Sequence, residues 1–177
     1  MHYKRYYKAP IGRIAITSDG EYITGLWLPN QTDFEKKFDD EFIEAELPIF
    51  DKVERWLDAY FSGNNPKLDF PLKANGTVFR EQVWSVLLDI PYGQTITYGE
   101  IAKKIAKMRG KSRMSSQAVG GAVGNNPISI IVPCHRVVGK DGSLTGYGGG
   151  IDTKIELLKV EQVNLDAFYR PKHSTKP

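Results

Sequence analysis

The periodicity of this chain changes once, and that change limits the folds open to it. Gly12-Arg13-Ile14-Ala15-Ile16-Thr17-Ser18 and Tyr22-Ile23-Thr24-Gly25-Leu26-Trp27-Leu28 are strand-like runs on either side of Asp19-Gly20. An Asp-Gly pair in that position marks a hairpin, because glycine accepts the positive φ of a type I′ turn. Next, Asp33 is expected to cap a charged helix through Phe34, Phe38 and Phe42. From Ile49 the apolar residues return at helical intervals, as Ile49, Phe50, Val53, Trp56, Leu57, Tyr60 and Phe61, and stop at Gly63. Strands followed by helices predict an α+β fold. A small N-terminal antiparallel sheet with helices leads into a mostly helical C-terminal domain.

The turn-rich stretch from Asn64-Asn65-Pro66 to Ala74-Asn75-Gly76 marks the boundary. The expected organisation is a supporting domain over 1–73, a working domain over 74–165 and a frayed basic tail over 166–177. Thr77 is expected to cap a helix with Phe79, Val83, Trp84, Leu87 and Leu88 on one face, stopped by Pro91-Tyr92-Gly93. Thr97 and Glu100 form a capping box. It opens a helix with Ile101, Ile105 and Met108 inward and lysines outward. Ser116 is expected to cap a further short helix, residues 117–123. Two such helices in succession read as a helix-turn-helix, winged-helix-like, with a connector longer than the usual tight turn. Gly120-Gly121 costs about 0.8–1.0 kcal/mol per glycine in a helix. Either close packing on a neighbouring element or close approach to a nucleic-acid backbone accounts for it.

Charge divides the same way. Residues 1–75 hold 10 Lys/Arg against 13 Asp/Glu, and residues 76–177 hold 14 against 8. Residues 101–140 carry Lys103, Lys104, Lys107, Arg109, Lys111, Arg113, Arg136 and Lys140 without a single acid. Such a run attracts a polyanion, although a solvated basic face has the same composition. No apolar run approaches the ~20 residues of a spanning helix, and the basic N-terminus lacks the apolar segment of a secretory signal. A single cysteine and three histidines exclude an internal disulfide and a thiolate-rich zinc site. The expectation is a cytoplasmic protein without membrane association.

Asn125-Asn126-Pro127 is a turn, and residues 128–132 form a short buried strand or extended segment that delivers Pro133-Cys134-His135-Arg136. A glycine-rich loop over 139–150 follows, then a helix over 153–160 with Glu161 at its end. Taken alone, Cys134 reads as an inert buried residue, but its setting is that of a nucleophile. A histidine follows it, and the surrounding positive charge favours thiolate. In extended backbone neighbouring side chains face apart, so His135 needs a bend or a bridging water to serve Cys134. Cys134, His135 and Glu161 would supply nucleophile, base and orienter, a set that cysteine hydrolases also use.

Pro133-Cys134-His135-Arg136-Val137-Val138, preceded by Ala118-Val119-Gly120-Gly121-Ala122 and Asn126-Pro127-Ile128, resembles the O6-alkylguanine-DNA alkyltransferases. Tyr98, Tyr147-Gly148-Gly149-Gly150 and Leu157-Leu158-x-x-Glu161 fall in register with that family. The resemblance is dense from about Gly76 to Glu161 and loose before it.

The resemblance implies a helix-turn-helix that enters the minor groove of double-stranded DNA carrying O6-alkylguanine, with the damaged base flipped out. It admits O4-alkylthymine as a second substrate. Cys134 would take the alkyl group, with His135 as base through a water, Glu161 orienting it and Asn126 ordering the turn. Tyr98 would donate to guanine N3 and the Gly148 amide would face O6. The carbonyls of Cys134 and Val137 would read the exocyclic amine, with Tyr147 also in the substrate pocket. Ala118 and Gly120 would lie close to the DNA, with Arg113 and Lys140 as basic contacts. The thioether product is permanent, so one chain performs one repair; no cofactor is expected, and without DNA the protein is expected to be a monomer.

Two departures stand out. Gln117 occupies the position of the family's usual intercalating arginine, which predicts a weaker clamp. The N-terminal half lacks the cysteines that bind zinc in some relatives, so no metal is expected. The alternative reading is a lesion-recognition protein that flips and binds O6-alkylguanine without transfer, and Cys134 argues against it. A hydrolase would turn over, whereas an alkyltransferase reacts once. A transcription factor on the same motif would be expected to carry a further regulatory domain.

Overall fold

A computed structural model of the chain describes residues 1–38, 41–144 and 146–171. Its contacts divide into two units: residues 1–75 joined by 127–129, and residues 76–126 with 130 onward.

In the first unit, strands β1 (His2–Ala9), β2 (Gly12–Ser18), β3 (Ile23–Trp27) and β4 (Phe42–Glu44) form one sheet in the order β3-β2-β1-β4. The expected hairpin is β2–β3, but it closes through a longer loop. Asp19 Oδ1 accepts the amides of Glu21 and Tyr22 at 3.0 and 2.9 Å, and the register shifts between Thr17 and Ser18. β1 was not anticipated, and β4 joins its free edge in parallel, so the sheet is mixed rather than wholly antiparallel.

The helix expected after Asp33 is only a 3₁₀ turn, Phe34–Lys37, without a side-chain cap from Asp33. Aromatic packing overrides the helical spacing. Phe34 stacks on Trp27 at 5.5 Å, and Phe42, out on β4, meets Phe34 and Phe38 edge-on. Residues 39 and 40 of that expected helix lie outside the described residues.

Helix α1 (Pro48–Phe61) follows its predicted stripe, burying Phe50, Val53, Leu57 and Tyr60. Burying a large apolar side chain contributes about 1.5–3 kcal/mol, which is what fixes this face inward. Pro48 begins the helix at a position where its fixed φ fits and its missing N–H costs nothing.

The second unit is built on α2 (Val78–Leu88), α3 (Tyr98–Met108) and α4 (Ser116–Gly124). Thr77 and Thr97 cap the first two through their hydroxyls. Ser115, one residue earlier than expected, caps the third by accepting the Ala118 amide. The α3 face is also displaced: Ala102 and Ala106 fill it beside Ile101 and Ile105, leaving Met108 55% exposed. Likewise Val86 is buried on α2, while Leu88 is exposed. Trp84 Nε1 donates to the Ala122 carbonyl at 2.8 Å and fastens α2 to α4.

Two short strands, β5 (Ile96–Thr97) and β6 (Val137–Val138), pair in parallel. Helix α5 (Ile151–Val160) completes the unit. The predicted frayed tail is pinned as far as it is described. Tyr169 exchanges backbone hydrogen bonds with Leu144 and Gly142, its hydroxyl donates to Asp141 at 2.5 Å, and Arg170 pairs with Asp152. Residues 172–177 lie outside the described residues. No helix among the described residues is long and apolar enough to cross a membrane.

Candidate active site

The backbone around Cys134 is a series of turns rather than the expected strand. After an isolated bridge from Ile128 to Leu26, Ile130 takes φ +70°, which is strained for a buried β-branched residue. Asn126 holds this bend by donating from Nδ2 to the Val132 carbonyl at 2.8 Å. Cys134, His135 and Arg136 then form a 3₁₀ turn. That turn supplies the bend His135 needed, since residues in it fan around an axis instead of alternating across a strand. The β5–β6 ladder pairs Thr97 with Val138, so Tyr98, the first residue of α3, starts beside the chain leaving Cys134.

Glu161, just past α5 and 2% exposed, anchors the charges. Its Oε2 meets His135 Nε2 in a short hydrogen bond. Its Oε1 accepts Arg136 Nε at 2.7 Å and the Gly93 amide at 3.1 Å. Arg136 also donates to the Ile90 carbonyl at 2.7 Å. Burial alone would raise the Glu161 carboxyl. The His135 hydrogen bond and the Arg136 guanidinium overcome this and hold it well below the usual carboxylate range. An anionic Glu161 requires a donor at Nε2, which assigns the proton there and makes Nδ1 the basic nitrogen. Burial keeps the imidazole neutral by lowering its affinity for a second proton. Glu161 opposes that effect, and Arg136 and Lys154 add to it.

Cys134 is 6% exposed and burial pushes its thiol up, while Asn126, Lys154 and Tyr147 pull it back. At rest it is therefore a thiol that must lose a proton to react. Burial, joined by Cys134 once it is a thiolate, pushes the half-buried Tyr98 hydroxyl up to about 12, so it remains a proton donor.

Of the residues expected at the site, the structure gathers Cys134, His135, Glu161, Asn126, Tyr98, Val137 and Tyr147 in the second unit. Gly148 is exposed on the loop beyond Tyr147. Gln117, Ala118, Arg113 and Lys140 are exposed, as a DNA-facing role requires. Gly120 is instead buried. Its neighbour Gly121 is open, since a Cβ there would meet nothing within 4 Å. Packing therefore does not account for Gly121.

Two charged residues carry more than the sequence reading gave them. Arg136, counted by sequence in the motif and in the basic run over 101–140, is instead buried and ties Glu161 to Ile90. Lys154 was not singled out at all. It is fully buried and donates to the Val137 carbonyl at 2.5 Å. Its signal was a lysine on the apolar stripe of α5, three residues before Leu157 and seven before Glu161.

Residues 2–74 match the 6-O-methylguanine DNA methyltransferase family's ribonuclease-like domain, and residues 78–163 match its DNA-binding domain. A methylated-DNA–protein-cysteine methyltransferase of Haemophilus influenzae is 43% identical over 169 residues, covering 91% of this chain and 87% of that protein. One from Methanosarcina acetivorans is 45% identical over 161 residues, covering 90% and 97%. The crystal structure of Mycobacterium tuberculosis OGT in complex with DNA superposes with a TM-score of 0.78 at 41% identity, covering 90% of this chain and 92% of that one. Two domains matched in order and relatives matched over nearly their whole length leave one conclusion: the chain belongs to the 6-O-methylguanine DNA methyltransferase family.

Proposed function

We propose that this protein repairs DNA by moving the alkyl group of an O6-alkylguanine in a duplex onto Cys134, once per chain and irreversibly. The observation that carries the reading is the Arg136–Glu161–His135 relay beside a buried Cys134. It holds a neutral imidazole whose Nδ1 can take the thiol proton, directly or through one water.

Sulfur attacks the alkyl carbon, the S–C bond forms as the C–O6 bond breaks, and the electron pair leaves on guanine. Tyr98 gives that anion a proton at N3, and the thiol proton on His135 later makes up the loss, so protons balance. The carbonyls of Cys134 and Val137 accept from the Val137 amide and from Lys154. Each keeps a second lone pair for the exocyclic amine of the flipped guanine. Gly148, a residue exposed on its loop, brings its amide to O6.

Flipping costs a few kcal/mol, least for a damaged base. Gln117, Ala118 and Gly121 on the outer face of α4 approach the backbone, with Arg113 and Lys140 on phosphates. The protein works as a monomer in the cytoplasm, a compartment that keeps a single thiol reduced.

Mass spectrometry after mixing with a duplex holding one O6-methylguanine tests this. A gain of one CH₂ confined to the Cys134 peptide, saturating at one per chain and absent in Cys134→Ser, is the expected result. Tight, lesion-selective binding with no mass gain would replace the reading with recognition alone.

A further inference from the structure

The second unit carries a groove apart from the transfer site. It lies between the end of α2, residues 89–96 and one side of α3, and neither Cys134, His135 nor Glu161 lines it. Its volume is about 780 Å³, within the ~300–1,000 Å³ of ordinary ligand sites. Val86, Ile90, Ile96 and Met108 supply its apolar surface. Met108 is the residue that the periodicity of α3 sends inward and that the structure leaves 55% exposed. The core of the unit does not take it up, and the groove does.

Charge in the groove is sorted along its length. Asp89 and Glu100 stand where α2 ends and α3 begins, Lys104 and Lys107 follow along α3, and Lys103 is exposed beside them. Glu100 precedes Lys104 by the interval at which a helix pairs opposite charges. Even so, none of these side chains makes an ion pair among the described residues. Nucleic acid suits the lysines but not the groove. A phosphate backbone brings regular charge and no apolar anchor, and Asp89 and Glu100 repel it. A peptide meets every part: carboxylates for Lys104 and Lys107, one large apolar side chain for the floor, and backbone N–H groups for Asp89 and Glu100. This chain holds one segment of that composition, Glu41-Phe42-Ile43-Glu44-Ala45-Glu46, with Ile43 43% exposed. It is not free to lie in a groove, because β4 pairs with β1 and Phe42 packs on Phe34 and Phe38.

We propose that this groove is a docking site for a segment of another protein, an acidic peptide that carries one large apolar or aromatic side chain. Lys104 and Lys107 take its carboxylates, and Val86, Ile90, Ile96 and Met108 receive the apolar group. Burial of that group supplies the affinity, while the lysines speed the encounter and set the direction of the peptide. The docking uses none of the residues that perform the transfer, so it stands apart from the alkyl-transfer reading.

The test uses the full chain without DNA. The probe is a fluorescein-labelled peptide, a run of aspartates ending in one phenylalanine, and binding is read by fluorescence anisotropy at fixed salt. Saturable binding is expected. It should weaken by about tenfold or more when serine replaces the phenylalanine, and by a similar factor when Lys104→Glu and Lys107→Glu are combined. Lys67→Glu combined with Lys111→Glu makes the same change in net charge at exposed lysines outside the groove, and should alter affinity by less than about twofold. In the wild type the Met108 methyl resonance should shift as peptide is added, while those of Met1 and Met114 stay in place.

Equal losses in the two double variants, or a serine peptide that binds as tightly as the phenylalanine one, would reduce the interaction to long-range attraction and overturn the proposal. An unmoved Met108 resonance at saturating peptide would overturn it too, since the apolar anchor would then lie elsewhere. Self-association of the wild type that disappears in Lys104→Glu with Lys107→Glu would give the groove to a second copy of this chain. A wild type that binds no peptide, with a double variant that loses affinity for an undamaged duplex, would assign the lysines to phosphates. Either result replaces the proposal, and neither bears on whether Cys134 accepts an alkyl group.

Discussion

The two units of this molecule place their charges on opposite sides of the hydrophobic boundary. In the first, Lys4 pairs with Glu35, Arg5 with Asp51 at 2.7 Å, and Tyr7 donates to Asp58 at 2.5 Å, all outside a core of Ile14, Ile16, Leu26, Phe50 and Leu57. In the second, His135, Arg136, Lys154 and Glu161 are themselves buried, while the outer face of α4 offers Gln117, Ala118 and Gly121. Exposed pairs of the first kind contribute about 0–1 kcal/mol, because water screens them and two side chains lose freedom. A buried cluster gives little net stability when complete and costs several kcal/mol when one member is removed. The contrast teaches where this chain tolerates change: the exposed pairs of the first unit can lose a charge cheaply, and the buried cluster of the second cannot.

Matched substitutions sharpen that contrast most. Glu161→Gln leaves Arg136 and the Gly93 amide without an anion at a buried position, and should lower unfolding free energy by about 3–5 kcal/mol. It should also leave His135 without its orienting charge and slow alkyl transfer. Asp51→Asn, at a pair whose carboxylate side chain is 57% exposed, should cost less than about 1 kcal/mol and leave transfer untouched. Denaturant unfolding and single-turnover transfer measure both. Equal costs for the two variants would break the comparison.

Acid gives the next largest effect. The folded Glu161 carboxyl is held at about 2 against an ordinary 4.5, so its contribution is complete above 4.5 and disappears as pH falls toward 2. His135 acts in the same direction from higher pH, because its lowered affinity lets the unfolded chain take up a proton first. Stability of the wild type should therefore fall on acidification, and Glu161→Gln should flatten the part between 4.5 and 2. A Glu161→Gln variant that keeps the wild-type slope there would assign the acid sensitivity elsewhere.

What the sequence made legible follows the same boundary. Apolar patterns were readable wherever a face meets a core: the β2–β3 hairpin around Asp19-Gly20, the stripe of α1, and the caps at Thr77 and Thr97. β1 was not, because in His2–Ala9 the basic residues and tyrosines come as adjacent pairs, Lys4-Arg5 and Tyr6-Tyr7, with no period of two, and its faces are only partly buried. β5 and β6, two residues each, are too short to carry a pattern, yet their pairing is what brings Tyr98 beside the Cys134 turn.

The site showed the same limits. Cys134, His135 and Glu161 were recognisable as a set of residue types. The bend that lets adjacent residues cooperate was not, since it depends on the φ of Ile130 and on Asn126 reaching Val132. Lys154 went unread because a lysine on an apolar stripe ordinarily means an imperfect stripe. Buried charge has no periodicity of its own, so the part of the second unit that performs chemistry is the part a pattern cannot reveal.

The smallest predicted effect concerns the outside of that unit. Gly121 lies within α4, where alanine is favoured over glycine by about 0.8–1.0 kcal/mol, and its Cβ would meet nothing within 4 Å. Gly121→Ala should therefore raise the melting temperature slightly. If that bare surface is kept for the close approach of a DNA backbone, the same methyl group should weaken binding to an undamaged duplex, measured by fluorescence anisotropy at fixed salt. Opposite signs for stability and affinity are what a surface shaped by its ligand produces. A gain in stability with unchanged affinity would mean that α4 does not come within a methyl group's distance of the duplex at Gly121, and the outer face of the second unit would then be as tolerant as that of the first.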